Sequence, residues 1–103
     1  MEKGKEYYKD GKLKFEGEYL YGEIYGFGKE YFYNGNLLFE GEFRGRKKWT
    51  GKGYDPETNK IIYEIKDGNG YIKEYDCYNG KLYCEGNYKN GELIEPIKKY
   101  NIY

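Results

Sequence analysis

By residue type and spacing, four glutamates are best placed to do chemistry. They form two matched pairs, Glu16 and Glu18 in Phe15-Glu16-Gly17-Glu18-Tyr19, and Glu40 and Glu42 in Phe39-Glu40-Gly41-Glu42-Phe43. Two carboxylates across a cleft hydrolyse glycosides when one is held protonated and the other ionised. These four lie beside abundant lysines, in a chain with 18 Lys plus Arg and 18 Asp plus Glu. A solvated strand face with cross-strand ion pairs accounts for them better. The chain has no His and no Ser, so the usual nucleophile triads cannot be built. Gly26-x-Gly28 and Gly51-x-Gly53 lack the third glycine and the helix of a nucleotide fingerprint. Asp55-x-Glu57-x-Asn59 has the spacing of a calcium loop, but Lys60 stands where that loop needs Gly and Lys66 where it needs the closing Glu. No catalytic residue, cofactor or metal site is expected, and the chain reads as non-enzymatic.

Cys77 and Cys84 flank a turn in Asp76-Cys77-Tyr78-Asn79-Gly80-Lys81-Leu82-Tyr83-Cys84. A two-residue Asn79-Gly80 turn would set Cys77 opposite Leu82 and Cys84 opposite Tyr75. That places the sulfurs diagonally on one face, too far apart for a relaxed disulfide. Both are expected to be free thiols packed as small apolar groups.

The elements that position these residues come from repetition. Gly4-Lys5-Glu6-Tyr7 recurs as Gly28-Lys29-Glu30-Tyr31, and Phe15-Glu16-Gly17-Glu18 as Phe39-Glu40-Gly41-Glu42, without a gap. Self-similarity at this short period signals an array of stacked units. Four units are read, at residues 4–25, 26–50, 51–67 and 68–94, followed by a tail at 95–103 that forms an edge strand or a cap. The third unit is degraded, with Tyr63-Glu64-Ile65-Lys66 in place of the glutamate-glycine core. Pro96 in the tail cannot donate to a ladder.

Each unit reads as a β-hairpin. Asp10-Gly11, Asn34-Gly35 and Asn79-Gly80 are turn signals, and the flanking runs alternate with period two. Phe15, Gly17 and Tyr19 therefore share one face and Glu16 and Glu18 the other. With a two-residue turn at Asn34-Gly35, Phe32 pairs with Leu37. Each strand glycine leaves a notch across which a neighbouring ring can lie. Alanine and valine are absent, and 21% of residues are aromatic, so rings must supply the core. The expected architecture is all-β: an elongated, twisted, single-layer antiparallel sheet in one domain over 1–103. Eight strands about 4.8 Å apart would span about 40 Å.

Phe15-Glu16-Gly17-Glu18-Tyr19 running through Gly22 to Gly26-Phe27-Gly28 resembles the MORN repeat (membrane occupation and recognition nexus). So does Phe39-Glu40-Gly41-Glu42-Phe43 running through Gly45 to Gly51-Lys52-Gly53. Cys84-Glu85-Gly86-Asn87-Tyr88 keeps the pattern with two changes. The resemblance covers residues 4 to 94 and implies stacked hairpins that hold a partner segment or self-associate as scaffolds. It also implies an association with phospholipid surfaces.

A large aromatic sheet face is a contact surface. Tyr19, Phe27, Phe43, Trp49 and Tyr88 are the expected contacts with a protein partner or a second copy of the chain. The alternative partner is a phospholipid surface, met by Arg44, Arg46, Lys47, Lys48 and Lys52 in a basic, Trp-bearing loop. A formal net charge of zero argues against nucleic acid. No leader-like or membrane-spanning apolar run appears, so the expected location is cytoplasmic, with membrane or cytoskeletal association as a variant.

Overall fold

The structure, a computed structural model, describes residues 1–100. These residues form nine strands and no helix: β1 (Glu2–Tyr7), β2 (Leu13–Leu20), β3 (Glu23–Tyr31), β4 (Leu37–Arg44), β5 (Lys47–Tyr54), β6 (Ile61–Ile65), β7 (Gly70–Tyr75), β8 (Leu82–Lys89) and β9 (Glu92–Lys99). Every pairing is antiparallel between chain neighbours. The all-β meander of hairpins is therefore present. It is divided, however, into a six-stranded sheet, β1 to β6, and a three-stranded sheet, β7 to β9. Only the bridge Lys66↔Asn69 remains of the ladder between β6 and β7.

The ribbon is not extended. The described chain measures 36 × 31 × 21 Å, with a radius of gyration of 13.4 Å. The reason is visible at the two ends of the strands, where turns from distant units meet. At one end, the Tyr8, Tyr33 and Tyr78 rings gather with centroids 5.2–5.7 Å apart. There too, the Tyr33 N–H donates to the Cys77 carbonyl at 2.8 Å, and Asn34 and Asn36 both donate to the Pro56 carbonyl. At the other end, the Gly68 N–H donates to the Trp49 carbonyl and the Gly91 N–H to the Gly68 carbonyl. The sheet thus curls around its ring-bearing face and closes a core of Phe15, Ile24, Phe39, Phe43, Tyr63, Ile65 and Ile72.

The turns expected to hold two residues are longer, while the connections at the opposite end hold two. Phe32 N–H donates to the Asn36 carbonyl and Gly35 N–H to the Phe32 carbonyl, so the loop Tyr33-Asn34-Gly35 has three residues. Tyr31 rather than Phe32 pairs with Leu37, across a bulge. Tyr8 and Lys12 close the first loop in the same way. The Asp55–Lys60 and Asp76–Lys81 loops each hold four residues. In both, the aspartate caps the turn by accepting from two backbone N–H groups. Cys84 consequently pairs with Glu74, not Tyr75, and Cys77 lies within the loop. Both cysteines are free, Cys84 buried and Cys77 half-buried. The connections at the opposite end are tight: Tyr21-Gly22, Gly45-Arg46, Asp67-Gly68 and Asn90-Gly91 all have positive φ at both central residues. That is the backbone of a type I′ hairpin turn.

The tail from Glu95 belongs to β9, which starts at Glu92 and forms an edge strand against β8. The last three residues of the expected cap, 101–103, lie outside the described residues.

Candidate functional site

The glycine and phenylalanine face was expected to carry neighbouring rings over its glycines and to meet a partner with its aromatic surface. Gly4, Gly17, Gly28, Gly41 and Gly51 do fall in one row across β1 to β5, each paired with the next. The chain's own rings fill the notches that these glycines leave. A methyl group built on Gly28 would sit 2.6 Å from Phe15 Cζ, one on Gly51 would sit 2.8 Å from Phe39 Cζ, and one on Gly4 would sit 2.7 Å from Tyr19 Cε1. The Tyr63 ring occupies the same place over Gly53. Phe15, Phe39 and Phe43 then pack edge to face, with centroids 5.4 Å apart. Phe43, read as a partner contact, is 2% exposed and serves this core. Tyr19 is half-buried, and its hydroxyl donates to Glu6 at 3.0 Å. Tyr88 is likewise half-buried and donates to Glu74 at 2.9 Å.

The basic stretch is a strand rather than a loop. Only Gly45-Arg46 form the turn; Lys47, Lys48, Trp49 and Lys52 lie in β5. Its five cations point different ways, most of them toward acids. Arg46 pairs with Glu6 at 2.5 Å, Lys47 with Glu92 at 2.7 Å and Arg44 with Glu42 at 3.6 Å. Burial alone would raise the Glu6 carboxyl, but hydrogen bonds from Arg46 and Tyr19 hold it below its ordinary range. Lys52 faces Glu40 on one side and Glu64 on the other. Arg44 and Lys47 face each other across the β4–β5 turn, but Lys48 turns inward, so the five do not form one surface. Trp49 is half-buried beneath Arg44, whose guanidinium lies 4.5 Å from the ring centroid. A methyl on Gly68 would meet Trp49 Cζ3 at 2.8 Å and one on Gly91 at 3.3 Å, so the indole seals the turn end of the split between the sheets.

Lys48 turns inward to a cleft of about 340 Å³ between the two sheets, walled by Glu30, Tyr63, Glu74 and Tyr83 among others. Burial pulls its ammonium down, but Tyr63, Glu30, Glu74 and Tyr88 outweigh burial and hold it above its usual value. Glu74 accepts from Tyr83 and Tyr88, each at 2.9 Å, so both of its oxygens are bonded. Burial, and then Glu74, raise both of those phenols. This cleft has the character of a satisfied polar seam.

The outer face differs. Reading the registers across the molecule, one row runs Lys5, Glu16, Lys29, Glu40, Lys52, Glu64 in the first sheet. The same row runs Lys73, Glu85, Lys98 in the second. Charge alternates at every strand, and opposite charges facing across a sheet stabilise it by about 0.2–1 kcal/mol per pair. Parallel to this row, Lys3 faces Glu18, and Phe27 follows on β3. Between the two rows, over the backbone of Gly4, Gly17 and Gly28, lies a trough of about 720 Å³. Phe27, at 56% exposure, is its one large apolar wall, and its N–H donates to Glu18 at 2.7 Å. Of the five expected contact rings, only Phe27 is more than half exposed.

The cross-strand pairing of the motif glutamates with lysines was legible in the sequence, though which lysines answer them was not read from it. The signal was there: Lys5 and Lys29 hold the same place in successive units, one residue after the row glycine.

No protein-family model, curated protein or solved structure matches the chain. The resemblance to MORN repeats rests on the residues themselves. Among the described residues no helix is long and apolar enough to cross a membrane.

Proposed function

We propose that this chain is a non-enzymatic protein-interaction module of about four MORN-like repeats, which holds a partner segment on the outer face of its first three strands. The observation that carries this reading is the trough over Gly4, Gly17 and Gly28, with Phe27 exposed at its wall. Its size falls within the roughly 300–1,000 Å³ of ligand-binding clefts. An exposed aromatic beside paired charges is the composition of a binding hot spot with a polar rim. The inner face supports the reading indirectly. Its rings are engaged in holding the curl, which leaves the outer face to meet a partner.

The test is selection of extended peptides from a displayed random library, followed by titration against Phe27→Ala. Binding at least tenfold weaker with an unchanged unfolding midpoint is expected. Binders indifferent to Phe27→Ala would overturn the assignment of the trough. Light scattering on the same samples separates a partner-binding monomer from a self-associating scaffold.

A further inference from the structure

The two outer edges of the molecule are chemically unequal, and the difference specifies an occupant for one of them. Inside the sheet, each lysine-bearing strand lies between two glutamate-bearing strands: Lys29 of β3 faces both Glu16 and Glu40. Strand β1 bears lysine too, but among the described residues it has a glutamate neighbour on one side only, β2, with Lys3 against Glu18 and Lys5 against Glu16. Lys3 and Lys5 are exposed. Along its far side β1 also presents the unpaired backbone donors and acceptors of an edge strand.

We infer that the free edge of β1 accepts an extended acidic segment of another protein as an added antiparallel strand. The segment carries glutamates in a Glu-x-Glu spacing opposite Lys3 and Lys5, with a small residue over Gly4. Backbone hydrogen bonds give such an addition its affinity, and the side chains at alternate positions give it its specificity.

A second copy of the chain does not fit. Antiparallel pairing of β1 with itself about Gly4, keeping the faces aligned, sets Lys3 against Lys5 in both directions, and like charges directly opposite destabilise a ladder. The other outer edge, β9, ends the charge row in Lys98 and carries Pro96, which has no N–H to give. The β9 edge is thus interrupted at Pro96 beside the lysine that ends its charge row, which makes it a poor partner for β1, while β1 remains open to acid.

The test uses the intact, isotope-labelled chain and a synthetic peptide alternating Glu with Tyr and Gly. A second peptide has every Glu replaced by Lys, and a third is N-methylated at alternate residues along one edge. Shifts and slowed amide exchange confined to Glu2–Tyr7 are expected with the acidic peptide. Affinity should fall at least tenfold for the lysine peptide and for the N-methylated one, and should fall as salt rises. Lys3→Glu with Lys5→Glu should invert the preference between the two charge forms. The charge swap on the peptide needs no change to the protein, so a folding defect in that double variant does not decide the matter. Equal binding of both charge forms, shifts outside β1, or no binding at millimolar peptide would overturn the proposal. Phe27→Ala should leave this binding intact; if it abolishes it, the peptide sits in the trough and the edge assignment falls.

Discussion

In β4 and β5, Gly41 lies against Gly51; at the equivalent positions of β6 and β7 stand Ile65 and Ile72. The first pair lets two backbones approach so closely that a methyl group on Gly41 would come 2.6 Å from the Gly51 Cα, with the Phe39 ring laid over Gly51. The second pair fills the same layer with two branched side chains, 2% and 1% exposed. The ladder is continuous through the glycine pair and stops beside the isoleucine pair. The other turn-linked strands absorb a register shift as a bulge just past their type I′ turns, at Gly17/Tyr19, Glu42/Phe43 and Gly86/Asn87. Between β6 and β7 only the Lys66↔Asn69 bridge follows the turn, with Gly70 packed against the Glu64 carbonyl, and the sheet divides there. One repeat can therefore make a ladder with rings on glycines or a seam with branched side chains, and the chain uses both.

The comparison is broken most severely by removing a ring from the glycine half. Phe39 is 0% exposed and lies over Gly51, so Phe39→Ala should cost about 3–5 kcal/mol. Cys84 holds the corresponding place in β8 at 7% exposure, against Glu74. Cys84→Ala removes a single atom and should cost about 1 kcal/mol. Urea midpoints at constant slope measure both. Equal costs would mean that the two halves share one mode of packing.

A smaller contrast tests the glycines themselves. Gly41 has φ 155 and faces backbone at its missing side chain. Gly41→Ala should cost about 3 kcal/mol, from overpacking and backbone strain together. Gly86 holds the same place in β8, but a methyl there would meet Leu93 Cδ1 at 3.2 Å and the Pro96 carbonyl oxygen at 3.3 Å, both looser contacts than the approach to the Thr50 carbonyl oxygen at Gly41. Gly86→Ala should stay within about 1 kcal/mol. A severe loss at Gly86 would show that the second sheet needs its glycine as strictly as the first.

How much of this was legible in the sequence follows from the range of the forces involved. Period two and turn chemistry act over a few residues, so the hairpins, the two faces and the ring-over-glycine packing could be read directly from Phe15-Glu16-Gly17-Glu18-Tyr19 and its copies. The lengths of the loops at Tyr33-Asn34-Gly35 and Asp76–Lys81 depended on aspartate caps and a closing glycine, which shift register by single residues. The curl was not legible, because it is held by contacts between distant units: Tyr8 with Tyr78, Arg46 with Glu6, Trp49 with Gly91. That same curl dispersed the expected site. It buried Phe43, drew Arg46 to an acid and turned Lys48 inward, leaving Phe27 on the open face.

The smallest effect lies on the outer face of the glycine half, where Tyr31 donates its hydroxyl to Glu16 at 2.8 Å. Burial first, and then that bond, push the phenol up to about 12. The unfolded chain would release this proton near pH 10. The folded state holds it longer, so the unfolded state binds fewer protons between these values, and stability falls as pH rises through the window. The contribution is complete below pH 10 and gone above about 12. Tyr31→Phe should cost about 1 kcal/mol at neutral pH, the worth of one hydrogen bond, and should flatten this part of the alkaline slope. In the second half, Tyr75 holds the equivalent place and is raised by burial and then by Asp55 and Glu85, with no hydrogen bond among the causes. Tyr75→Phe should therefore cost less at neutral pH than Tyr31→Phe. Urea midpoints collected from pH 8 to 12 for the three proteins decide it: a slope unchanged by Tyr31→Phe would remove the Glu16 bond from the forces that hold the glycine half together.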